Sequence, residues 1–119
     1  MNSRAKGRRS VYKALDHIQR CWPEAVAIVH YQPSQWATPM PWDVTVFRMH
    51  RPPLLVEVRS NQWGVSKDQT TRLTQLPGVG YSREIWRFRN GSMIPDRRCW
   101  HMGAWHPVTE HEDTGESTR

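Results

Sequence analysis

Asp43 opens one β-prone segment, DVTVFRM at residues 43–49, and Glu57 sits inside the next, LLVEVR at 54–59. Charged side chains rarely enter such segments unless they are paired or bind a metal. Arg51-Pro52-Pro53 between them reads as a turn, because proline pre-sets the turn dihedral. The two runs then form a hairpin, and a hairpin can bring the carboxylates together. Close carboxylates repel, and a pKa rises unless a cation sits between them. Mg²⁺ is the usual cation for one or two carboxylates plus a phosphate. Side chains alternate along a strand, so Glu57 and Arg59 point to one face. Arg59 could hold a phosphate oxygen there. The plainer alternative is a Glu57–Arg59 ion pair, with Asp43 as a strand-end turn residue.

Other elements must position these residues. Val11, Ala14, Leu15, Ile18, Cys21 and Trp22 recur at helical spacing and predict a first helix over 4–22, stopped by Pro23. AVAIVHY at 25–31 predicts a strand, followed by a Pro- and Gln-rich loop at 32–42. Ser66 and Gln69 have capping-box spacing and predict the start of a second helix, which Pro77-Gly78 ends. REIWRFR at 83–89 alternates as a strand, and Asn90-Gly91 is a turn signal. Residues 92–108 are ambiguous, with a short edge strand expected around 98–102 and then coil. The expected order is α-β-β-β-α-β.

Charge bounds the class of partner. Residues 1–109 hold 16 Lys and Arg against 7 Asp and Glu, a net +9, while 110–119 carry four acids and one Arg. A basic body points to a polyanion, most often nucleic acid. The acidic tail lacks large apolar residues and is expected to be disordered. Residues 1–109 are expected to form one domain. No run of about 18 apolar residues marks a membrane span. The basic start shows no secretory signal, and two cysteines make no disulfide framework, so a cytoplasmic protein is expected.

An Asp, about a dozen residues, then Glu-x-Lys in an αβββαβ order is the signature of the PD-(D/E)xK nucleases, which Asp43, Glu57 and Arg59 resemble. Arg4-Ala5-Lys6-Gly7-Arg8-Arg9 is similar to the basic start of the archaeal-type Holliday junction resolvases and their phage and bacterial relatives. LLVEVRSNQW at 54–63 and Trp86-Arg87-Phe88 resemble segments of the same small proteins. The resemblance covers roughly residues 3–90. It implies a restriction-endonuclease-like αβββαβ core, a mixed central sheet flanked by helices. It also implies a Mg²⁺- or Mn²⁺-dependent endonuclease acting on branched DNA, with Asp43 and Glu57 as metal ligands. Paired cleavage of a junction needs two active sites, hence a homodimer.

Two positions depart from that pattern. The first-helix glutamate is absent, with Ser10 and Val11 nearby, and the lysine is replaced by Arg59. Arginine stays protonated and cannot act as a base, though it can stabilise charge on a phosphate. A DNA-binding module without catalysis is therefore the alternative, and a basic protein-interaction domain is a more distant one. Candidate DNA contacts are Arg4, Lys6, Arg8, Arg9 and Lys13 on the first helix and Lys67 on the second. Lys67 is also a candidate substitute for the lysine. Five cations at a helix start oppose its macrodipole, and a bound phosphate would offset that cost.

Two further groups of residues carry chemistry. Cys99, His101, His106 and His111 fit no common structural zinc spacing. Among seven tryptophans, Trp22, Trp86 and Trp100 have core spacing, whereas Trp36, Trp42 and Trp63 lie in loops. The loop tryptophans could stack on unpaired bases or close over the core.

Overall fold

A computed structural model describes residues 3–30, 42–64, 66–75 and 80–108. The elements follow as α1 (Ser3–Cys21), β1 (Ala27–His30), β2 (Val44–Phe47), β3 (Leu54–Ser60), α2 (Lys67–Gln75), β4 (Ser82–Phe88), β5 (Asp96–His101) and β6 (Ala104–Pro107). All six strands join one sheet in chain order. β3 and β4 are parallel, connected through α2, and every other neighbouring pair is antiparallel. A parallel pair cannot be joined by a tight turn, which is why a helix stands between these two strands.

The expected order over residues 4–90 is present, with strand ends differing by one or two residues. The coil expected after residue 102 is instead β6. It pairs with β5 across Met102 and Gly103, both at positive φ of 51° and 80°. Two successive left-handed residues give a primed turn, whose twist suits a hairpin. The usual Asn or Asp is missing at Met102, so the sequence carried only half of the signal.

One face of the sheet takes α1. Ala14, Ile18 and Trp22 pack on Val44, Val46, Leu54, Val56, Trp86 and Phe88. The helix periodicity and the period-two pattern of three strands converge on this core. Within it Glu84 accepts the Trp86 indole N–H at 2.8 Å and a forked pair of bonds from Arg97, at 2.7 and 3.0 Å. The Arg97 guanidinium also lies 5.3 Å from the Trp22 ring and 5.0 Å from the Trp86 ring. This buried ion pair answers how a charge enters β4: the Glu84 carboxylate accepts three hydrogen bonds, and the Arg97 guanidinium lies against two aromatic faces.

The opposite face is thinner. α2 contributes Leu73, which packs with Leu55 and Trp42, flanked by Tyr81 and Trp105. Trp42 is thus core, as one of the two sequence alternatives had it, and Trp22 and Trp86 are buried as expected. Trp100 is only half-buried and meets Trp105 edge-on at 5.1 Å. Trp36 and the acidic tail lie outside the described residues.

Candidate active site and nucleic-acid interface

Register explains why Asp43 meets Glu57. Val44 pairs with Val56 at the end of the β2–β3 ladder, so one step further the antiparallel register sets Asp43 opposite Glu57. The Asp43 N–H donates to the Val56 carbonyl at 3.0 Å, and its carboxylate accepts the Val58 N–H at 2.7 Å. The side chain therefore completes the ladder where the partner strand has stopped.

Leu54, Val56 and Val58 turn toward α1, so alternation turns Leu55, Glu57 and Arg59 to the other face. Glu57 is poorly hydrated there. Burial, the Asp43 charge and a hydrogen bond with Asp43 push its carboxyl up to about 9, against the opposing pull of Arg59 and Arg72. Near neutral pH the Glu57 carboxyl thus keeps its proton. Arg59 reaches Glu57 at 3.0 Å, and its Nε is buried without a hydrogen-bond partner. Two hard oxygen donors held together are a set that suits a divalent cation such as Mg²⁺.

The structure brings together Asp43, Glu57 and Arg59. It adds Arg72 from α2, whose charge is felt at Glu57 and which the sequence reading did not single out. Lys67 is exposed on the same helix. Gln69 and Ser66 cap it reciprocally, at 3.2 and 3.1 Å, so Gln69 is occupied in the cap. Among the described residues no group of three or more His, Cys, Asp and Glu side chains converges. Cys99 and His106 are register partners, and the His101 and His106 rings lie 6.1 Å apart.

Ser10 lies on the α1 side of the sheet, where its hydroxyl bonds the hydroxyl of Ser60 on β3. The first-helix position nearest the missing glutamate therefore faces away from the side that carries Glu57. Arg9, Lys13, Ser60 and Asn90 line a cavity of about 290 Å³ at the carboxyl ends of β3 and β4. The helix cations thus begin to surround the same strand ends as Arg59. The side chains of Arg4, Lys6 and Arg8 lie outside the described residues.

Further arginines occupy the Glu57 face. Arg59 pairs with Arg87, and Arg87 with Asp96. Arg87 donates Nε and Nη2 to Asp96 at 3.2 and 2.8 Å, and Arg89 reaches the same carboxylate at 3.0 Å. Arg87 and Arg98 both approach the Trp63 ring, at 4.7 and 4.0 Å. A pairing of strands from distant parts of the chain created this arrangement. The alternating Arg87 in REIWRFR was its only local signal.

No described helix is long and apolar enough to cross a membrane. No family model matches the chain, and no curated protein matches it in sequence. Among solved structures it is similar to Hjc of Archaeoglobus fulgidus, a Holliday junction resolvase from an archaeal hyperthermophile. The superposition covers 89% of this chain and 90% of that one, with a TM-score of 0.57 and 15% sequence identity. The chain therefore has the nuclease-like α/β fold of that resolvase, a mixed sheet flanked by two helices.

Proposed function

We propose that this protein is a metal-dependent endodeoxyribonuclease of the PD-(D/E)xK type acting on branched DNA. The observation that carries the proposal is the shared site of Asp43 and Glu57, set on a resolvase-like fold. Mg²⁺ or Mn²⁺ would be held by those two carboxylates, where it supplies an activated water and stabilises charge on the phosphate. Glu57 would surrender its proton on acting as a ligand. Arg59 keeps its charge at every working pH, so it orients a phosphate oxygen and stabilises negative charge as it builds. Arg59 removes no proton. The basic body and Arg9 and Lys13 at the strand ends hold the flanking backbone, with Arg4, Lys6, Arg8 and Lys67 as further proposed contacts. A homodimer would supply the second site that paired cleavage of a junction needs, and the cytoplasm is the proposed compartment.

One feature favours a second reading, DNA binding without cleavage. Arg59, held 3.0 Å from Glu57, stands where the resembled nucleases carry a lysine, and a guanidinium cannot accept a proton.

The test is incubation of a four-way junction and a matched duplex with the protein in Mg²⁺, Mn²⁺ or EDTA. Cleavage of the junction with either metal, abolished by Asp43→Asn while binding persists, supports the nuclease. Binding with no cleavage in either metal selects the second reading. No binding at low salt removes both.

A further inference from the structure

Trp63 and Arg98 make contacts that the carboxylate pair does not require. The chain leaves β3 through Asn61, which adopts a left-handed φ of 65°. The Asn61 side chain is tied to Asn90 beyond β4: its amide donates to Asn90 Oδ1 at 3.1 Å, and its oxygen accepts the Asn90 N–H at 2.9 Å. This anchored turn carries Trp63 back over the sheet, against Arg87 and Arg98.

The two cations are held differently. Arg87 spends two donors on Asp96. Arg98 has no ion pair among the described residues, and its guanidinium is held 4.0 Å from the indole centroid. An aromatic ring attracts a guanidinium through its quadrupole, while the five N–H donors of arginine lie in the guanidinium plane. Trp63 therefore fixes where the Arg98 charge sits without taking up its donors as a carboxylate would. A cavity of about 560 Å³ opens alongside, lined by Trp63, Arg87, Asp96, Arg98 and Pro107 among others.

Register relates this cation to the carboxylates. Glu57 pairs with Ile85, and Ile85 with Arg98. Cross-strand partners share a face, so Glu57 and Arg98 lie in one row across the sheet. Two strand spacings separate them by roughly 10 Å. Phosphates along one DNA strand advance about 3.4 Å each along the helix axis and also turn around it, so about one or two nucleotides span the gap.

We propose that Arg98, positioned by Trp63, clamps a DNA phosphate about one or two nucleotides from the Asp43–Glu57 pair. The clamp rests on the DNA-binding part of the function proposed above. It gives the strand a direction across the sheet, away from β3 and over β4 to β5. Trp63 is a positioning residue in this arrangement and acts through the guanidinium.

Binding of the full chain to a four-way junction, followed by fluorescence anisotropy in EDTA over a range of salt, separates the clamp from cleavage. Arg98→Ala and Arg98→Gln should each bind roughly tenfold more weakly, the scale of one charged hydrogen-bonding contact. Their log-affinity against log-salt slopes should be shallower by about one phosphate. Trp63→Leu should weaken binding as well, yet add nothing in an Arg98→Ala background. Neutral methylphosphonates scanned along the strand should reveal one position that weakens the wild type and leaves Arg98→Ala indifferent. Thermal unfolding of each variant checks that it is folded, and Arg98→Gln decides the matter if Arg98→Ala is not. Wild-type affinity and slope in the folded Arg98 variants, full additivity with Trp63→Leu, or no position-specific methylphosphonate effect would overturn the clamp alone. A wild type that binds no DNA would remove the clamp together with the function on which it rests.

Discussion

The Asp43 carboxylate caps the Val58 N–H at 2.7 Å, and this bond both ends a ladder and loads a site with charge. Asn at this position keeps an acceptor and loses the charge, whereas Ala loses both. In metal-free buffer above pH 9, where Glu57 is ionised beside Asp43, Asp43→Asn is expected to be more stable than wild type by about 1 kcal/mol, because repulsion with Glu57 is relieved. Asp43→Ala should fall below Asp43→Asn by about 1–2 kcal/mol, the cost of an unsatisfied backbone donor. Urea denaturation of the three proteins checks the order. Equal midpoints for the two variants would show that the Val58 bond is immaterial.

Glu57 makes stability depend on pH in a defined direction. Its folded carboxyl lies at about 9, above the unfolded value of 4.5. The folded state thus binds the proton more tightly, so its contribution is fully present below pH 4.5 and is lost as pH rises through 9. Wild type should lose stability across this window, and Glu57→Gln should flatten the profile there and be the more stable protein at pH 8. Chemical denaturation at several pH values, compared between the two proteins, provides the measurement. Divalent cation should reverse the wild-type trend, since a ligand of the ionised pair stabilises the state that has lost the proton.

Glu84 and Arg97 form a second ion pair with a different task. Breaking one side of a buried pair leaves a charge without compensation, at a cost of about 3–5 kcal/mol. Glu84→Ala should therefore unfold at much lower denaturant, with a change in tryptophan emission as Trp86 loses its indole acceptor. A loss below about 1 kcal/mol would mean that Arg97 finds water or another partner cheaply.

Asn61 tests whether the turn after β3 aims Trp63. Asn61→Gly preserves the left-handed dihedral and removes both bonds to Asn90, while Asn61→Ala also strains the backbone. Gly should cost about 1 kcal/mol and Ala somewhat more. Both should weaken junction binding as Trp63 loses its seat over Arg98. Unchanged anisotropy titrations with either variant would detach the turn from the DNA surface.

Much of the fold could be read because local and global signals agree. The first helix, the capping box at Ser66, the Pro-Pro hairpin and the alternation at 83–89 each state one element without reference to distant residues. The neighbourhood of Asp43 and Glu57 could be read for the same reason: a hairpin with a short turn nearly fixes its own register. The signals that failed were non-local or atypical. Met102 carries a left-handed dihedral with a side chain that seldom adopts one, so β6 was mistaken for coil. Arg87 and Arg98 share a face with Glu57 only because β4 and β5 pair as they do, Arg72 reaches it from α2, and no periodicity encodes either. Glu84 gave no sign of its burial, because its partner Arg97 lies on the next strand beyond a turn.

The identity of sheet order and chain order bears on how the molecule is built during synthesis. Each strand emerging from a ribosome finds its hydrogen-bonding neighbour already present, so the sheet can grow at one edge. α1 is in the opposite situation. It appears first, yet its core partners include Trp86 and Phe88 on β4, and its Ser10 bond spans 50 residues to Ser60. The helix must remain exposed or provisionally docked until most of the sheet has formed, because loop-closure entropy delays distant contacts. In pulse-labelled hydrogen exchange, β2–β3 amides should gain protection before those of α1, and the reverse order would place the helix in the nucleus. An unfinished chain thus displays its basic helix before the site that the helix flanks has been assembled.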